Sequence, residues 1–224
     1  MEDIRIIDVK QSVFENNDRD AERLREQLRA QGTCLINLMS SPGSGKTTML
    51  RRLAKALEGR LRFAVMEADI DSAVDAEAMQ EAGVRAIQIH TGGMCHLDAD
   101  MTRQGLTALG GGEEKLVILE NVGNLVCPAE FDTGAVYNMT ILSVPEGDDK
   151  PLKYPLMYET CDLMIINKTD VLPYFDFDCE KAEKNARLRT PDIDVLRICA
   201  KTGEGVGALA DWIETKTNAW LRGE

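Results

Sequence analysis

Ser40-Ser41-Pro42-Gly43-Ser44-Gly45-Lys46-Thr47-Thr48 follows the apolar run Leu35–Met39 and precedes a segment carrying Leu50, Leu53 and Leu57 at helical spacing. Strand, glycine-rich loop and helix in that order form the context of a phosphate-binding loop. Gly43 and Gly45 let backbone amides close around a polyphosphate, with Ser44, Thr47 and Thr48 beside it. Lys46 can reach the β- and γ-phosphates, and the Thr47 hydroxyl can take one position on Mg²⁺. The helix that follows turns its positive N-terminal end towards the anion. The full pattern has glycine where this chain has Ser40, a change expected to alter loop detail without abolishing binding.

The runs around this loop imply the fold. Apolar stretches recur at Cys34–Met39, Phe63–Ala68, Val84–Ile89, Leu116–Glu120, Met139–Val144, Leu163–Asn167 and Val195–Cys199, mostly separated by helical or loop segments. This alternation predicts a three-layer α/β domain with a mostly parallel sheet. An amphipathic helix is expected over Asp18–Ala30, and a last one over Val206–Leu221 carrying Leu209, Trp212, Ile213 and Trp220. No repeat or linker interrupts the 224 residues, so one domain over 1–224 is expected, with 1–31 as a helical extension packed on it. In such sheets ligands gather beyond the carboxyl ends of the strands.

A formal net charge of −12 argues against nonspecific binding to nucleic acid or anionic membranes. No apolar run approaches the roughly 20 residues of a membrane span. The start MEDIRIIDVK lacks a signal peptide's pattern, so a cytoplasmic protein is expected. Six cysteines without a CxxC pair fit reduced thiols. Cys34, Cys161 and Cys199 read as packing residues, and Cys179 has no evident partner. His90, at the end of a strand-like run, reads as a packed or capping residue.

Asn167-Lys168-Thr169-Asp170 follows the apolar run of Leu163–Ile166. An aspartate there can accept from both N1–H and the exocyclic amine of guanine, whereas adenine leaves the carboxylate partly unpaired. GTP and GDP are therefore expected over adenine nucleotides. The Lys168 stem can cover the base, and Asn167 can tie neighbouring loops together. Cys199-Ala200-Lys201 resembles the Ser-Ala-Lys loop of GTPases, where a backbone amide meets the guanine carbonyl. Glu120 ends a strand-like run and can hold Mg²⁺ through water, and Gly123 stands where a backbone amide can approach the γ-phosphate. Among the acids of EADIDSAVDA, Asp69 is expected in the Mg²⁺ shell, Asp71 at the solvated surface, and Asp75 as the residue that positions the attacking water.

Cys95, His96 and Cys127 are a second candidate metal set, since thiolate and imidazole suit Ni²⁺ or Zn²⁺. Gly92-Gly93 permits the tight backbone that adjacent ligands need. Spacing alone leaves packing and ligation both open. Three ligands do not close a tetrahedral site, but a twofold dimer can pool six around a pair of ions.

SSPGSGKTT, TGGMCHLDADM, LENVGNLVCPAEFD, SVPEGDDKPLKYP and NKTDVLPYFD together resemble the HypB family, GTPases that assist nickel insertion into [NiFe] hydrogenase. The resemblance runs from about Cys34 to Gly205. It implies the dimerising class of P-loop GTPases, which includes the signal-recognition-particle GTPases and relatives of the nitrogenase iron protein. It also implies nickel or zinc held by Cys95, His96 and Cys127 at a homodimer interface. Lys153 corresponds to a family lysine near the dimer contact. A HypA-type nickel-binding accessory protein and the hydrogenase large subunit are the implied partners. The chain lacks the histidine-rich tract and N-terminal CxxC-type site of some members, so nickel storage is not expected.

With no evident arginine finger, hydrolysis should be slow, with Lys46 and Mg²⁺ neutralising charge. Two other readings stay open. A urease-type nickel GTPase would carry Cys-Pro-His where this chain has Cys95-His96. A GTP-switch binding module would hold structural zinc in every nucleotide state.

Overall fold

The computed structural model describes the backbone over residues 9–69 and 74–224 and side chains over 14–68 and 76–224. Helix α1 spans Val9–Gln31. There follow β1 (Cys34–Ser40), α2 (Lys46–Ala56), β2 (Phe63–Asp69), α3 (Val74–Glu81), β3 (Arg85–His90) and α4 (Ala99–Leu109). The chain continues through β4 (Leu116–Glu120), α5 (Cys127–Glu130), β5 (Tyr137–Ser143), α6 (Lys150–Lys153) and α7 (Pro155–Glu159). It ends with β6 (Leu163–Asn167), α8 (Cys179–Arg187), β7 (Asp194–Arg197) and α9 (Val206–Arg222).

All seven apolar runs become strands of one sheet, ordered β3-β2-β4-β1-β5-β6-β7 with every pairing parallel. The near-continuous burial of β1, β4 and β6 explains their unbroken apolar character, because both faces of a parallel sheet are covered. Helix α2 packs against α3 and α9, and α1 packs against α4. One core gathers Leu35, Ile36, Leu50, Leu53, Ile118 and Leu209 around the central strands. A second gathers Met39, Leu142, Tyr158, Met164, Ile166 and Ala186 beneath β5 and β6. Each fully buried aliphatic side chain contributes about 1.5–3 kcal/mol relative to exposure. Among the described residues, no helix is long and apolar enough to cross a membrane.

Three expectations need correction. Helix α1 begins at Val9, well before Asp18. Inside that helix the Asn17 side chain donates to the Asp132 carbonyl at 2.9 Å and accepts from Ala99 N–H at 3.0 Å. Strand β7 stops at Arg197 because Cys199 leaves the sheet to bridge with Glu204. His90 is exposed rather than packed, since it ends the edge strand β3. Cys34, Cys161 and Cys199 are buried as expected, while Cys179 is half-buried.

Candidate functional site

Strand β1 lies between β4 and β5, so its loop opens at the centre of the sheet's carboxyl edge. Gly45 turns the chain into α2 with φ of 100°, and a Cβ there would stand 2.6 Å from Asn167 Nδ2. Only glycine suits both the left-handed backbone and that approach. Ser40, the irregular position, is fully buried and accepts from Ser44 Oγ at 2.7 Å and from Lys46 Nζ at 3.2 Å. Lys46 Nζ also lies 3.6 Å from Glu120 Oε1, with both side chains largely shielded from solvent. At such reduced solvation this pair is far stronger than a surface one.

Register across the sheet brings further polar groups together. Glu120 on β4 pairs with Glu67 on β2, which pairs in turn with Gln88 on β3. These residues, with Lys46, Gly43 and Gly123, line a cavity of about 310 Å³. Gly123 sits against Pro42, so close that a Cβ would be 3.1 Å from Pro42 Cγ. Thr47 lies half-buried in the first turn of α2, and Thr48 beside it is exposed. Asp69 ends β2 and Asp75 belongs to α3, but their side chains lie outside the described residues, as does Asp71 altogether.

The base-side loops meet the phosphate loop through Asn167. Its Nδ2 donates to the Ser44 carbonyl at 2.9 Å and its Oδ1 accepts from Ala200 N–H at 3.0 Å. Lys168 takes a left-handed φ of 64° and donates from Nζ to the Gly43 carbonyl at 2.7 Å. Asp170 stands 3.8 Å from Lys201 Nζ, an exposed pair of little energetic weight. Cys199 Sγ accepts from Thr202 N–H at 3.4 Å, so it braces its own loop. Arg52 donates to the carbonyls of Ala200 at 3.2 Å and Lys201 at 2.6 Å, fixing this loop to α2.

The Cys/His segment is adjacent through the chain. Gly92 and Gly93 have φ of 64° and 93°, giving the tight turn expected there. Thr91 Oγ1 donates to the Met94 carbonyl at 2.7 Å, and Asn124 Nδ2 reaches the Cys95 carbonyl at 3.5 Å. Cys95 Sγ is 3.8 Å from His96 Nδ1, and the nearby Cys127 thiol raises the Cys95 pKa together with desolvation. His96 stacks on Phe131 with centroids 3.8 Å apart, and burial lowers its pKa. Met94 and Val126, next to these residues, are exposed apolar side chains. Among the described residues, no three of His, Cys, Asp and Glu converge to hold a metal.

Sequence reading missed Glu67, Gln88 and Arg52. A carboxylate inside the otherwise apolar β2 run was the available signal for Glu67. Gln88 and Arg52 carry none without strand register and helix packing.

Residues 34–197 match the family model for the CobW/HypB/UreG nucleotide-binding domain. Hydrogenase maturation factor HypB of Azotobacter vinelandii is 47% identical over 218 residues, 97% of this chain and 72% of that protein. A crystal structure of HypB from Helicobacter pylori in complex with nickel is 37% identical with a TM-score of 0.85, over 91% of this chain and 95% of that one. The signal recognition particle receptor FtsY of Elizabethkingia anophelis in complex with GDP is 12% identical with a TM-score of 0.55, over 90% of this chain and 77% of that one, a likeness of fold alone. With its phosphate loop, base-side loops and Cys95-His96 segment on a parallel seven-stranded sheet, the chain belongs to the HypB family of hydrogenase maturation factors, P-loop GTPases of the CobW/HypB/UreG group.

Proposed function

We propose that this chain is a cytoplasmic GTP-hydrolysing nickel metallochaperone that assists nickel insertion into [NiFe] hydrogenase. The observation that carries this reading is the continuity of two sites along one segment. Gly123 lies against Pro42 of the phosphate loop, and four residues later Cys127 is close enough to Cys95 to raise its pKa. Reorganising that segment between GTP and GDP would move a metal ligand directly.

Guanine is selected by Asp170, with Ala200 N–H near the base and Lys168 and Lys201 beside it. Gly43, Ser44, Gly45, Lys46, Thr47 and Thr48 surround the phosphates. The buried Glu120 carboxylate beside Lys46, together with the Thr47 hydroxyl in the first turn of α2, fits the oxygen-donor set that Mg²⁺ requires, and Asp69 would join that shell. When bound, Mg²⁺ neutralises charge developing on the phosphate oxygens. Lys46 steadies the same charge, and Asp75 positions the attacking water. With no arginine finger evident among the described residues, intrinsic turnover is slow.

The exposed Cys95 and the apolar Met94 and Val126 favour a homodimer in which two copies pool Cys95, His96 and Cys127 around Ni²⁺ or Zn²⁺. Lys153 would lie near that contact. A HypA-type accessory protein and the hydrogenase large subunit are the proposed donor or acceptor of the metal. A single GTPase domain over 1–224, with α1 packed on it, carries these roles.

Deleting the gene and assaying hydrogenase with and without excess nickel tests the reading. Lost activity that excess nickel restores supports it. Full activity in unsupplemented medium contradicts it.

A further inference from the structure

Gln88 occupies the one cavity-facing position of the Gln88–Glu67–Glu120 row that carries a neutral amide. Its Oε1 and Nε2 are both buried, and neither makes a hydrogen bond among the described residues. A buried carboxamide left unpaired costs about 1–3 kcal/mol, and such a group calls for a partner. Glu67, in register beside it, is buried on β2, and Lys46, Gly43 and Gly123 line the same cavity. The space in front of Gln88 is therefore the space that a terminal phosphate and its hydration would fill. A carboxamide suits that setting, because it can donate to a phosphate oxygen and accept from a water without adding charge beside two carboxylates.

Gln88 is also three residues before Thr91, the first residue after β3 ends at His90. Thr91 is buried, and its hydroxyl closes the turn onto Met94, the neighbour of Cys95. A displacement of Gln88 along β3 is delivered to the base of the Cys95-His96 turn. This path is separate from the Gly123–Cys127 segment, and Asn124 joins the two at the Cys95 carbonyl.

We propose that Gln88 is a positioning residue for the γ-phosphate, binding its oxygens or their ordered water and carrying that contact through β3 to the Cys95-His96 turn. The proposal rests on the GTP reading above. It assigns the γ-phosphate two listeners, one on each metal-bearing segment.

The test uses the full chain with Gln88→Met, which keeps length but removes hydrogen bonding, and Gln88→Glu, which keeps the acceptor but adds charge. Affinities for GDP and a non-hydrolysable GTP analogue are read by competition with a fluorescent GDP. Nickel affinity is then measured in each nucleotide state. Gln88→Met should keep GDP affinity within about twofold and lose about tenfold in analogue affinity. Its nickel affinities in the two states should move towards each other. Gln88→Glu should lose analogue affinity further, through repulsion from the phosphate. Thermal unfolding of Gln88→Met should match wild type or exceed it, which separates positioning from simple packing. Wild-type discrimination between analogue and GDP in both variants overturns the proposal. A wild-type protein that binds neither guanine nucleotide overturns the GTP reading and this proposal with it.

Discussion

The Lys46 ammonium donates to Ser40 Oγ at 3.2 Å, so the residue that departs from the loop pattern is the one that holds the loop's lysine. Ser44 Oγ donates to the same oxygen, and Ser40 Oγ donates in turn to the Ser41 carbonyl at 2.9 Å. Ser40→Ala removes this buried hub. The expected cost is about 1–3 kcal/mol in thermal unfolding without nucleotide, with less than about a tenfold loss in GTP affinity. Lys46→Ala should abolish measurable binding. Unchanged unfolding of Ser40→Ala would show that the hub contributes nothing.

Asn167 joins the phosphate loop to the base loop through Ser44 and Ala200. Asn167→Ala leaves a carbonyl and an N–H without their partner, at about 1–3 kcal/mol each if no water enters. Because the bridge joins Ser44 to Ala200 and does not touch the Gly123 segment, GTP and GDP affinities should fall together. Isothermal titration with both nucleotides checks this, and a loss confined to GTP would contradict it.

On the proposed function, Asp170→Asn replaces the acceptor of two guanine donors with a carboxamide. GTP affinity should drop by about a hundredfold or more, since the base donors lose their acceptor. Xanthosine triphosphate, which carries a carbonyl where guanine has its amine, should gain affinity. Competition binding with the two nucleotides reads the exchange, and retained GTP preference would remove Asp170 from base recognition.

Burial pushes the Cys34 thiol up to about 12, whereas Cys95 is exposed. At pH 8 iodoacetamide should label Cys95 in the native protein and leave Cys34 intact, as mass spectrometry would read. The raised pKa fixes the sign of the linkage. The stability it contributes is complete below the ordinary thiol value of 9.0 and is lost as pH rises from there towards about 12. Labelling of Cys34 at the rate of Cys95 would contradict its burial.

The strands were legible because each apolar run is long enough to cross the sheet and is punctuated by turns or helices. The phosphate loop was legible because its chemistry is local: Gly45, Lys46 and Thr47 act within a few residues of one another. Glu67 and Gln88 were not, because only the register of β2 between β3 and β4 sets them beside Glu120. The start of α1 was misread for a related reason. Apolar spacing over Asp18–Ala30 marks only the packed part of the helix, and Asn17 just before it is fixed by bonds to residues 82 and 115 positions away. Cys95 and Cys127 were found as metal-ligand types, but their proximity depends on β3 and β4 ending on either side of β2.

The central claim is that nucleotide state controls metal binding, and nickel titration in the GDP and GTP-analogue states tests it most directly. The account predicts different nickel affinities in the two states of the wild type, a difference lost in Cys127→Ala. Linkage requires nickel to shift the relative affinity for the two nucleotides by the same factor. Equal nickel affinity in both states of the wild type would contradict the account.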